Sequence, residues 1–109
     1  VHRILARFGS QTGLLASGRI GVNWELVEEA GMRFYMVREL RSGLPAEKAG
    51  SKVGDRIMAC NGVSLAAVRT ERQAKRLCQV EAGQPLRLDV RRAGLSMDVV
   101  VTADKRPGL

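Results

Sequence analysis

Histidine and aromatic residues are the scarcest chemistry in this 109-residue chain: one His, one Trp, one Tyr and two Phe. With His2 alone near the start, no Ser-His-Asp arrangement forms, and Glu28-Glu29 lies in a turn without a pocket, so catalysis is not expected. Two cysteines, Cys60 and Cys78, stand eighteen residues apart with no CxxC pair, too few ligands for a metal site. Two buried reduced thiols are the expectation, which favours an intracellular setting over a disulfide. Apolar runs stay far below the roughly 20 residues a membrane span needs. No charged-then-apolar leader is seen within the chain, and a start at Val rather than Met suggests a fragment of a larger protein. No phosphate-binding loop, repeat or cofactor motif appears, so no cofactor is expected.

What is present is an Arg-rich globular domain. Eighteen Lys and Arg against eleven Asp and Glu leave +7, with fourteen of the basic residues Arg. The excess attracts acidic peptides or an anionic lipid surface. No aromatic-studded basic strand is present, so nucleic acid is not expected. The charges are spread along the chain, as on a solvated basic face. At 109 residues one domain fits, with a core resting on Val, Leu, Ile, Met and Ala.

Local patterning gives the elements. His2 to Phe8 reads as a first strand and Gly9 to Arg19 as a loop. Ile20, Val22, Trp24 and Leu26 alternate with polar residues, a strand with one buried face. After a turn at Glu28 to Gly31, Phe34 to Leu40 pairs back. Pro45 to Gly50 is a short helical turn, since Pro suits a first helical turn and Gly the position after a last one. Arg56 to Cys60 is the next strand, ending at the turn pair Asn61-Gly62. Thr70 to Val80 is the long helix, with Thr70 and Gln73 spaced as a capping box, Ala74, Leu77 and Cys78 on its apolar face, and Gly83 closing it. Leu86 to Arg92 and Ser96 to Thr102 form a hairpin around Ala93-Gly94. This order suggests an α+β, mainly β fold: a partly open barrel or sandwich of five to six strands, capped by one short and one long helix.

The run from Leu40 to Val63, with Pro45-Ala46, Ala49-Gly50, Gly54-Asp55 and Asn61-Gly62, resembles the most recognisable stretch of PDZ domains. The resemblance extends over about residues 2 to 103. It implies a module that holds the C-terminal tail, or an internal strand, of a partner protein along a sheet edge. Arg19-Ile20-Gly21-Val22 stands where that family carries its carboxylate-binding loop, and successive backbone N–H groups there form an anion nest. The incoming peptide is expected to pair antiparallel with an exposed edge from Val22 through Asn23 and Trp24 to Leu26. Its last side chain enters a pocket of Ile20, Val22, Trp24 and the long helix. Trp24 either faces that groove or fills core.

Two helix registers stay open. One sets Glu71 at the position that selects the peptide's third-from-last side chain, with Lys75 and Cys78 lining the groove. The other sets Thr70 there, with Ala74 and Leu77 lining it. Neither offers the His that selects Ser or Thr in this family. The resemblance implies a cytoplasmic scaffold-type domain in a signalling or cytoskeletal protein. Two alternatives stand beside it: a substrate-reading domain of a larger protease, or a degenerate fold serving dimerisation or lipid binding. A first strand paired into the sheet favours the scaffold type; a terminal strand beyond Val101 in its place favours the protease type.

Overall fold

A computed structural model describes residues 2–8 and 20–103. Among the described residues, seven strands and two helices follow one another: β1 (His2–Phe8), β2 (Val22–Glu29), β3 (Met32–Leu40), α1 (Pro45–Lys48), β4 (Arg56–Cys60), β5 (Val63–Ser64), α2 (Glu71–Leu77), β6 (Pro85–Arg92) and β7 (Leu95–Thr102). A 3-10 turn at Leu65–Ala67 precedes α2. The strands form one antiparallel sheet in the order β1-β2-β3-β4-β6-β7, with the two-residue β5 beside β4. This is the expected open, mainly β fold with two helices. β5 and the 3-10 turn were not legible in the pattern, being too short to show a period.

The hairpin turns follow from local chemistry. Ala93-Gly94 and Ala30-Gly31 both adopt positive φ at each central position, the geometry that matches the twist of paired strands. The β2–β3 turn is tighter than expected, because β2 keeps its ladder through Glu29 opposite Met32. α1 starts on Pro45, and Gly43 N–H donates to Glu47 Oε1 at 2.7 Å, holding the entry to the helix.

α2 begins as its sequence dictates. The Thr70 hydroxyl accepts from Gln73 N–H, and Gln73 returns a carbonyl to the Thr70 N–H. It ends earlier than expected. Cys78 is the C-cap, and Gly83 instead sits in a separate turn, where its N–H donates to Ala103 O.

The main core gathers Val22, Trp24, Leu26, Tyr35, Val37, Ile57, Leu65, Ala74, Leu86, Leu88, Val90 and Val101. Alternation along β6 supplies Leu86, Leu88 and Val90 to it, while Arg87, Asp89 and Arg91 stay exposed. Burying one such Leu or Val side chain contributes about 1.5–3 kcal/mol. Val27 and Phe34 are also buried but lie outside that cluster, with the Arg56 guanidinium 5.0 Å from the Phe34 ring centroid.

The loop from α1 to β4 is fixed by an ion pair to the end of β6. Arg92 Nη2 and Nε donate to Asp55 at 2.7 and 2.8 Å, and Arg92 Nη2 also reaches Gly50 O at 2.8 Å. Asp55, 1% exposed, accepts a further bond from Lys52 N–H at 2.9 Å. Burial alone would raise its carboxyl pKa; the Arg92 hydrogen bonds and the Lys52 amide outweigh this and hold it below the ordinary value.

The thiol expectation is overturned. Cys60, at the end of β4, and Cys78, at the C-cap of α2, form a disulfide with their Cα atoms 5.4 Å apart. Spacing along the chain carries no information about this; the α2 cap returning over β4 creates it.

Candidate functional site

The segment Ile20-Gly21-Val22 enters β2 from a backbone clamp. Ala46 N–H donates to Ile20 O at 2.8 Å and Arg41 N–H to Gly21 O at 2.9 Å. Both carbonyls are thus engaged by the segment from the end of β3 into the first turn of α1. Gly21 takes φ +79°, a left-handed conformation that disfavours any residue with a Cβ. A Cβ built there would also lie 2.4 Å from Leu44 Cβ. Leu44 was not expected at the site; only the return of the α1 cap against β2 brings it there. Arg19 lies outside the described residues.

Trp24 fills core. It is 6% exposed and stacks on Tyr35, with ring centroids 4.6 Å apart and planes within 7°. Of the two alternatives left open for Trp24, this stack supports the core one, setting the indole against a β3 ring. Val22 and Leu26 share its burial, and Ile20 packs partly buried against the same cluster. Asn23 Nδ2 donates to Glu39 Oε1 at 2.9 Å. Its Oδ1 is buried with no hydrogen-bond partner among the described residues, an acceptor at the mouth of the strand.

On α2, Ala74 is fully buried, while Thr70, Glu71 and Lys75 are exposed. Gln73 turns its side-chain oxygen back to Arg69 and Thr70 N–H. Gln73, Arg76 and Leu77 line a cavity of about 400 Å³ with Val63, Ala67 and Val68. Ala74 therefore faces core, as in the register that starts at Glu71. Cys78 supplies no thiol to a groove, since its sulfur is bonded to Cys60. Tyr35 links helix to sheet electrostatically: burial, then the nearby Glu71 charge, push its phenol well above the ordinary range. Tyr35 stands opposite Leu26 in the β2–β3 ladder, so the start of α2 reaches the groove strand.

The edge of β2 differs from expectation. β1 pairs antiparallel with it from His2↔Glu29 to Phe8↔Trp24, while β3 holds the other edge. The stretch expected to lie open, Val22 to Leu26, is free of β1 only at Val22 and Asn23. Sequence reasoning treated β1 and β2 as separate strands and did not weigh their pairing with each other. Along β2, Glu25 is 3% exposed and meets Arg38 at 3.1 Å, and Glu29 meets Arg56 at 3.2 Å.

Comparison with known proteins completes the description. A family sequence model, described as PDZ domain, matches residues 36–92. The chain is 30% identical over 104 residues to a probable periplasmic serine endoprotease DegP-like of Bartonella henselae, covering 89% of this chain and 20% of that protein. The chain thus spans about one fifth of that relative's length. Among solved structures, the HtrA-type protease AlgW with decapeptide aligns with a TM-score of 0.66 at 19% identity, over 85% of this chain and 30% of that one. The PDZ domain of the carboxy-terminal protease from Vibrio cholerae, in complex with peptide, aligns with a TM-score of 0.62 at 22% identity, over 82% and 94%.

Proposed function

The chain belongs to the PDZ domain family, and from that membership we propose that it is a non-catalytic reader of protein tails, taking a partner's C-terminal strand beside β2 and α2. The observation that carries this reading is the clamped Ile20-Gly21-Val22 segment. Its two carbonyls accept from Ala46 and Arg41 N–H, and its glycine lets the backbone turn, which supports reading its amides as an anion nest. A carboxylate held there would extend its strand along β2, with Glu71 and Lys75 on the helix side. The peptide complexes among its structural neighbours support a peptide partner.

The relatives favour one setting over another. The first strand does pair into the sheet, the arrangement expected of scaffold domains, and among the described residues β7 pairs with β6 alone. The relatives described above nonetheless come from proteases. We therefore favour a substrate-reading role for a catalytic neighbour over a signalling or cytoskeletal scaffold. The disulfide and the periplasmic relative likewise favour an oxidising compartment over the cytoplasm.

The test is a library of C-terminal peptides with free and amidated ends. Micromolar hits that vanish on amidation, with NMR shifts at Ile20 to Trp24 and along α2, are expected. An absence of hits, alongside salt-sensitive binding to anionic liposomes, would transfer the role to the basic surface.

A further inference from the structure

We propose that β1 is a built-in occupant of the ligand edge, and that a strand must displace it, with basic residues at the register positions opposite Glu25 and Glu28, to bind fully. Three observations carry this. A sheet strand has two edges, and β3 takes one edge of β2 while β1 takes the other from Trp24 to Glu29. An added strand can extend past Asn23 only where β1 now lies. β1 also runs antiparallel to β2 with Phe8 toward the Val22 end, the polarity of a C-terminal tail anchored at Ile20-Gly21-Val22.

The third observation is charge order. The ladder sets Arg7 opposite Glu25, Arg3 opposite Glu28 and His2 opposite Glu29. Opposite charges at directly facing positions stabilise an antiparallel pair, and like charges there oppose it. Within the described side chains, each of these carboxylates meets an arginine of β3 or β4: Arg38 for Glu25, Arg33 for Glu28 and Arg56 for Glu29. A strand without basic residues at those register positions forgoes the opposite-charge pairing that the β1 sequence offers.

Eleven residues connect Phe8 to Ile20, so β1 competes intramolecularly, at an effective concentration on the order of millimolar. A free peptide meets a domain whose open edge is a minor state, and its apparent affinity falls by that fraction. The displacement of tails rests on the peptide-binding reading above; the exchange of β1 itself does not.

The experiment uses the full chain and a double charge reversal, Arg3→Glu with Arg7→Glu. The probe is a synthetic copy of residues 2–8, acetylated and amidated so that it carries no terminal carboxylate. The variant's backbone amides from Trp24 to Glu29 are expected to exchange faster than in the wild type. The probe is expected to bind the variant about tenfold more tightly than the wild type, with NMR shifts along β2. Neutralisation by Arg3→Gln with Arg7→Gln adds no repulsion, and about a threefold gain is expected there, which keeps the test informative if the reversal unfolds the chain. Equal exchange rates, equal probe binding to all forms, or no binding to any would overturn the proposal. If the probe binds the variant while no free-ended C-terminal peptide binds either form, β1 exchange stands and carboxylate reading falls.

Discussion

Leu44 occupies the space that a side chain at Gly21 would need: its Cβ lies 2.4 Å and its Cδ1 2.8 Å from an ideal Cβ at that position. Gly21→Ala therefore meets two penalties, a clash with a helix cap and a left-handed φ. A loss of about 1–3 kcal/mol in stability is expected, with peptide affinity lost further than folding. Leu44→Ala should not rescue it, because the Leu44 Cβ itself is the nearest atom. Chemical denaturation of the two single variants and the double variant checks this, and full rescue by Leu44→Ala would refute the steric account.

The disulfide between Cys60 and Cys78 ties the end of α2 to β4. It closes a loop of eighteen residues, for which chain entropy gives a stabilisation of about 3 kcal/mol. Cys60→Ser with Cys78→Ser is expected to lower the unfolding free energy by roughly that amount, and reduction of the wild type should match it. Peptide binding should weaken in both, since the helix wall loses its anchor. Free-thiol titration of the native protein should find no reactive thiol at either position.

Tyr35 and Glu71 make a titration that reports on the groove. The Tyr35 phenol is raised by burial and by the Glu71 carboxylate. The fold prefers its neutral form, so this contribution is intact below the unfolded tyrosine value of about 10 and is lost as pH climbs above it. Alkaline unfolding should begin there. Glu71→Gln removes the charge and should lower the phenol pKa while leaving most of the rise, which burial supplies. Ultraviolet titration of the single tyrosine checks this directly.

Asp55 titrates with the opposite sign. Its carboxyl is held below the ordinary value, so its stabilisation is complete above about pH 4 and is lost as pH falls through the folded value. Asp55→Asn should cost about 2–3 kcal/mol at pH 7, less than a fully buried pair because Arg92 is partly exposed. The gap between variant and wild type should shrink as the pH drops toward 3. A gap independent of pH would mean that packing, not charge, carries the effect.

The sequence by itself determined the β-rich order of elements, the capping box at Thr70 and Gln73, and the hairpin at Ala93-Gly94. These are local: each rests on alternation, a cap or a turn pair acting over a few neighbouring residues. The family likeness was equally legible, because Leu40 to Val63 carries its scaffold glycines and small residues in one continuous run. The candidate site was legible only in outline. Ile20-Gly21-Val22 leads into β2, and Glu71 and Lys75 are exposed on α2.

Four features needed the tertiary structure. Trp24 stacks on Tyr35, Cys60 meets Cys78, Leu44 closes over Gly21, and β1 takes the edge of β2. Each joins residues distant along the chain, and alternation says which side of a strand is buried but not what buries it. A strand's unpaired edge leaves still less trace, because the ladder is made by backbone groups that every residue carries. Whether β2 stands open or paired was therefore a question for the fold alone.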